Sequence, residues 1–154
     1  MIEAKKFDSI RELVGLSERA MTEHYKLYEG YVKKVNEIEE KLAIADRASA
    51  NQVYSEFRAL KTEQSFAIDG VKNHELYFGH LGGNGGRPSN KLLTAIEKEF
   101  GSFEKWQADL KATGLAGRGW AWLAYDRDWH RLGNYLGDAQ NTYPIWNTVP
   151  ILAL

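Results

Sequence analysis

Seven residues near the middle of the chain, Gly82-Gly83-Asn84-Gly85-Gly86-Arg87-Pro88, constrain its fold more than any other stretch. Four glycines and a proline cannot hold a helix: glycine loses the most backbone freedom on ordering, and proline removes a donor and clashes with the preceding turn. The segment therefore separates two regions that must each find their own secondary structure. The expected organisation is a domain at 1–81, a linker at 82–88 and a second domain at 89–154. A Gly-rich loop can also cradle phosphate, but no strand precedes this one and no Gly-Lys-Ser/Thr ends it.

Upstream of the break the pattern is helical. Ser17 is the expected N-cap of a first long helix. His24, Leu27, Tyr28, Tyr31, Val35, Ile38 and Leu42 then recur at three- and four-residue steps and should form its inner stripe. Glu37, Glu39, Glu40 and Lys41 decorate the solvated side. A polar connector at 46–50 leads to Asn51, the expected cap of a second helix. Its stripe reads Val53, Phe57, Leu60, Gln64, Ala67, Val71, His74, Phe78 and Leu81. Antiparallel pairing of the two helices would bury both stripes.

Downstream, Ser89 or Asn90 should cap a helix over 91–100, stopped by Gly101, and Ser102 should start another over 103–113. Three short runs of aromatic and aliphatic residues at 120–125, 129–136 and 149–154 read as strands, the first two joined by the turn Asp126-Arg127-Asp128. The expected fold class is α+β: a long antiparallel helical hairpin, then a small α/β domain with a three-stranded antiparallel sheet.

A chain of 154 residues can bury a sizeable core without staples. It has no cysteine, which rules out disulfides, thiolate metal sites and a thiol nucleophile. A net charge of −1 gives no reason to expect nucleic acid or an anionic membrane as partner. No apolar run is long enough to span a bilayer, and residues 1–7 lack the apolar core of a signal peptide. A soluble cytoplasmic protein is the expectation.

His24 and His74 each fall on an inward stripe, and facing helices can bring two imidazoles to one metal. Periodicity alone leaves the alternative open, a core histidine hydrogen-bonded to a neighbour. His80 and His130 lie off the stripes and are expected at the surface.

Several segments taken in order resemble the iron/manganese superoxide dismutase family. They are His24 with Tyr31, Asn73-His74-Glu75-Leu76-Tyr77-Phe78, the Gly-rich linker, Phe100-Gly101-Ser102-Phe103 and Gly119-Trp120-Ala121-Trp122-Leu123. The resemblance implies that His24 and His74 are metal ligands and that Tyr31 is the gateway tyrosine between metal and solvent. It also implies that Tyr77, Phe78, Trp120 and Trp122 line the metal pocket. The family's outer-sphere glutamine stands either four residues before the second histidine, where this chain has Gly70, or in a loop after the second strand, where it has Gln140. Gly70 with Gln140 follows the manganese-type pattern, so the implied cofactor is manganese or iron, with manganese preferred. Gln140 can also be read as an ordinary hairpin-turn residue.

Two departures accompany the resemblance. In the family eight residues separate the first histidine from the gateway tyrosine; here seven separate His24 from Tyr31. Seven residues of α-helix return to within about 20° of the start, whereas eight miss by about 80°. The family's helix therefore needs a one-residue bulge, and its loss would leave a regular helix here. Either that bulge is absent, or His24 does not stand at the first ligand position. The second departure is at the end: the family's Asp and His ligands follow the third strand, and the sequence stops at Leu154.

Two function classes follow. One is a superoxide dismutase whose last two ligands lie beyond these residues, assembling as a homodimer or homotetramer and converting superoxide to O2 and H2O2. The other is a metal-free dismutase-like structural or binding subunit. Lys33, Lys34 and Arg118 are candidates for attracting the anionic substrate.

Overall fold

The computed structural model describes residues 1–141 and 147–154. The chain divides into two units, Met1–Gly79 and His80–Leu154.

The first unit is a helical hairpin. Its helix α1 (Glu18–Ile44) opens at Ser17, whose hydroxyl accepts from the Ala20 N–H at 3.2 Å, satisfying one of the helix's orphan donors. The α-helical pattern is unbroken from residue 18 to 44, with no wider turn between His24 and Tyr31. Helix α2 (Glu56–Gly79) runs back alongside it, so that His24 near the start of α1 meets His74 near the end of α2, and Glu39 meets Gln64.

Three sequence expectations need correction in this unit. Asn51 does not cap α2. Its Oδ1 accepts from the N–H groups of Val53 and Tyr54 in the preceding turn, while Ser55 caps α2 by accepting from Arg58 N–H at 3.1 Å. Val53 thus lies in that turn and is 82% exposed. Leu27 is also turned outward, because the buried stripe of α1 runs through Met21, Tyr28, Val32, Val35, Ile38 and Leu42. Leu27 stands about 100° away from Tyr28 around the helix.

The N-terminal segment, to which sequence assigned no structure, lies along the hairpin. The Ile2 N–H and C=O both bond the Asn36 side chain, at 2.8 and 2.9 Å. The Lys5 N–H donates to Tyr28 Oη at 2.8 Å, Tyr25 Oη donates to the Lys5 carbonyl at 2.9 Å, and the buried Ser9 hydroxyl donates to the Phe78 carbonyl at 2.8 Å.

The second unit is α/β. Helix α3 (Asn90–Phe100) follows Ser89 and ends at Gly101, whose φ of 84° is the left-handed conformation that glycine adopts without a Cβ penalty. Helix α4 (Phe103–Ala116) starts at Ser102, which caps the Lys105 N–H. The sheet has strands β1 (Trp120–Asp126), β2 (Arg131–Gly137) and β3 (Thr148–Ala153), antiparallel in the order β2-β1-β3. Central β1 is buried almost along its length.

Alternation along β1 sends Ala121 and Leu123 toward the helices, where they form a core with Ile96, Trp106, Leu110 and Leu132. Trp120 and Trp122 therefore face the opposite side. Strand β2 starts two residues later than its apolar pattern suggested. Asp126 Oδ1 accepts from the N–H groups of Asp128 and Trp129, extending the turn, and Trp129 remains 64% exposed beneath the Arg131 guanidinium. His80 is not a surface residue either: it is half-buried, and its Nε2 bonds the Ala153 carbonyl at 3.1 Å. Among the described residues no helix is long and apolar enough to cross a membrane.

Candidate metal centre

The two histidines of the hairpin meet. Their ring centroids are 4.9 Å apart and their planes nearly perpendicular at 79°. His74 is only 1% exposed, and its Nδ1 lies 2.6 Å from the carbonyl of Gly70, one turn earlier on α2. A carbonyl can only accept, so Nδ1 carries the proton and Nε2 holds the lone pair. This is the tautomer a metal-ligating imidazole adopts when its other nitrogen is tied to the backbone.

Burial pushes the His74 pKa down to about 4; the Gly70 hydrogen bond opposes this, and the neighbouring His24 adds to it. Burial also lowers the pKa of His24 from 6.5. Both rings are therefore neutral at neutral pH, the state in which an imidazole can donate to a metal.

Aromatic groups enclose the pair. Tyr31 packs on His74 with centroids 5.4 Å apart, and Tyr77 and Phe78 pack on His24 at 5.0 and 5.1 Å. The regular α-helix between His24 and Tyr31 places both on the face toward His74, as seven-residue spacing requires. The wall can restrict water around the two rings. Among the described residues no group of three or more His, Cys, Asp or Glu side chains is gathered to hold a metal. The hairpin brings together two imidazole donors in the right protonation state, which fit half of a four-donor set.

The second unit holds the other residues that the resemblance assigns to the site. Trp120 Nε1–H donates to Gln140 Oε1 at 2.9 Å, which fixes the orientation of the amide. Trp122 is completely buried in β1. Of the three candidate capture charges, Lys33 is exposed, Lys34 pairs with Glu37 at 2.6 Å, and Arg118 lies 3.7 Å from Asp138.

Sequence reading missed the polar network beside the histidines. Tyr28 has no exposed surface, and its hydroxyl accepts from Lys5 N–H while donating to Glu75 Oε1 at 3.1 Å. Burial is the main reason its pKa rises to about 12, so it stays protonated and can donate. Glu75 Oε2 also pairs with the Lys5 ammonium. Tyr28 was legible as a stripe residue, but nothing local in the sequence links it to Lys5, 23 positions away, or to Glu75, 47 away.

Comparison with known proteins places the chain in a family. Residues 88–154 match the family described as iron/manganese superoxide dismutases, C-terminal domain. An iron superoxide dismutase of Aquifex aeolicus (strain VF5) is 43% identical over 149 residues, covering 94% of this chain and 70% of that protein. One from Aquifex pyrophilus is 42% identical over 158 residues, with coverage of 99% and 74%. A manganese superoxide dismutase of Mycolicibacterium fortuitum is 38% identical over 133 residues, with coverage of 84% and 62%. Identity at this level, sustained over more than two-thirds of the length of the two Aquifex relatives, decides the matter: the chain belongs to the iron/manganese superoxide dismutase family.

Proposed function

We propose that this protein dismutes superoxide at a mononuclear manganese or iron ion, with His24 and His74 as two of the ligands. The observation that carries the reading is the pairing of these imidazoles 4.9 Å apart, with His74 fixed as the Nε2 lone-pair tautomer by the Gly70 carbonyl. The reaction consumes two superoxide anions and two protons. One superoxide is oxidised to O2, and the other is reduced to H2O2. A bound manganese or iron ion supplies the one-electron store that lets these halves occur in separate encounters. Two imidazoles are half of the donor set, so the reading requires a carboxylate and a third imidazole to join them.

The chain's own residues prepare that chemistry. Neutral His24 and His74 offer lone pairs without first having to lose a proton at neutral pH. Tyr31, packed against His74, would deliver protons through its hydroxyl. Gln140 has its carbonyl oxygen engaged by Trp120, which makes its amide nitrogen the donor end. Of the charges considered for an anionic substrate, exposed Lys33 contributes most, because Glu37 offsets Lys34 and Asp138 offsets Arg118; salt would screen the effect. Gly70 with Gln140 favours manganese, and the relatives carry both metal names.

The test is the metal content and superoxide consumption of the protein loaded separately with manganese and iron, beside His24→Ala and His74→Ala. Loss of metal in both variants is expected. Unchanged metal content in His74→Ala would sink the ligand assignment, and equal activity with either metal would remove the manganese preference.

A further inference from the structure

The N-terminal segment contacts the hairpin at positions with a common relation to the histidines. Lys5 reaches three of them. Its N–H donates to the hydroxyl of Tyr28, four residues after His24. Its carbonyl accepts from the hydroxyl of Tyr25, one residue after His24. Its ammonium pairs with Glu75, one residue after His74. Ser9 supplies the fourth contact, donating to the carbonyl of Phe78, four residues after His74. That carbonyl is in the last turn of α2, where no intrahelical donor remains to meet it. The ring of Phe7, between the two anchors, packs on both Tyr28 and Phe78 at 5.9 and 5.6 Å.

We propose that this segment, through Lys5 and Ser9, is a positioning strap that sets the spacing of the His24 and His74 imidazoles. The inference rests on the ligand reading for its purpose, although the spacing itself can be tested without metal. Helices packed by apolar stripes alone can slide and rotate, because dispersion and burial are non-directional. Hydrogen bonds are directional and fix register. Here they hold the residues one and four positions beyond each histidine, the same turn of each helix. Tyr28 Oη, donating to Glu75, joins the two helices directly inside that turn. Phe78 completes the link, since its carbonyl is held by Ser9 while its ring lies 5.1 Å from that of His24. Lys5 and Ser9 touch neither imidazole; they act through Tyr25, Tyr28, Glu75 and Phe78.

A strap that merely stabilised the hairpin would do so wherever it was attached. Asn36 separates the two possibilities. It holds Ile2 twelve residues along α1 from His24, roughly 18 Å away by helical rise. Asn36→Ala loosens the strap far from the histidines, Ser9→Ala loosens it beside them, and Tyr28→Phe removes the Lys5 contact together with the direct bond to Glu75.

The experiment uses the full chain without metal and reads the nuclear Overhauser contacts between the His24 and His74 rings, with thermal melting recorded for every variant. Weakened ring contacts in Tyr28→Phe and Ser9→Ala, with native contacts in Asn36→Ala at whatever melting temperature, are expected. Native contacts in both Tyr28→Phe and Ser9→Ala would overturn the proposal. If Tyr28→Phe does not fold, Ser9→Ala, which removes a single hydroxyl, decides alone.

A Co2+ titration of the same set reads the consequence for ligation. Loss of supporting contacts should weaken affinity by about 10–100-fold in the first two variants and within about twofold in the third. Co2+ binding that survives His74→Ala would overturn the ligand reading and leave the ring-spacing result standing.

Discussion

Tyr31 lies directly over Gly70: a β-carbon at residue 70 would stand 2.8 Å from Cδ1 and 2.9 Å from Cγ of the tyrosine ring. In sequence, Gly70 is only the position where some relatives of this family pattern have a glutamine. In the fold it makes room for the ring that packs on His74, while its carbonyl holds His74 Nδ1.

Replacing Gly70 with alanine should therefore disappoint the usual helix rule. Glycine to alanine in a helix interior is worth about 0.5–1 kcal/mol in favour of alanine. At Gly70 the contact is with a face of an aromatic ring packed against the histidine, and overpacking costs about 1–3 kcal/mol. Gly30, on α1, is the control, because a β-carbon there would have nothing within 4 Å. We expect Gly30→Ala to raise the urea midpoint and Gly70→Ala to leave it unchanged or lower it. A Gly70→Ala gain equal to that at Gly30 would mean that Tyr31 moves aside at no cost.

Stability of the metal-free protein should fall on acidification through the histidines. The folded state holds His74 down to a pKa of about 4, against an ordinary value of 6.5. Between these values the unfolded chain binds more protons, so stability is complete above about pH 7 and declines as pH falls toward 4. His24 and His80 are shifted in the same direction by burial and add to the slope. His74→Asn, whose amide nitrogen can take the place of Nδ1 toward the Gly70 carbonyl but does not titrate, should flatten the decline without abolishing it. Denaturation midpoints at pH 7 and pH 5 measure the difference, and an unchanged slope in the variant would refute the buried neutral imidazole.

The second unit has its own sensitive glycine. A β-carbon on Gly119 would lie 2.4 Å from the Gly137 carbonyl oxygen and 2.9 Å from the Asp138 carbonyl carbon, both backbone atoms at the end of β2. Backbone cannot rotate away as a side chain can. Gly119→Ala should cost about 1–3 kcal/mol and disturb the Trp120–Gly137 end of the strand pair. Amide hydrogen exchange would show it as loss of protection at the start of β1, and full protection there would contradict the close approach.

Much of the architecture was legible from local signals. The Gly-rich break, the Ser17 and Ser102 caps, the Gly101 stop and the change from helical to strand periodicity determined the α+β order of elements, because each acts on its own few residues of backbone. The candidate site was legible as residue types and spacings, His24, Tyr31 and His74 sharing inward faces. The tertiary structure decided the rest. Periodicity names a helix face but not the part of it that meets a neighbour, which is why Leu27 turned out and Met21 and Val32 turned in. Asn51 and Ser55 are both capable caps, and only the position where the chain turns into α2 selects between them. Which nitrogen of His74 keeps its lone pair depends on the carbonyl that fold and rotamer bring to the other. The contacts of Lys5 and Ser9 with residues 20 to 70 positions away leave no pattern in sequence, since a hydrogen bond between distant segments exists only once the hairpin has closed.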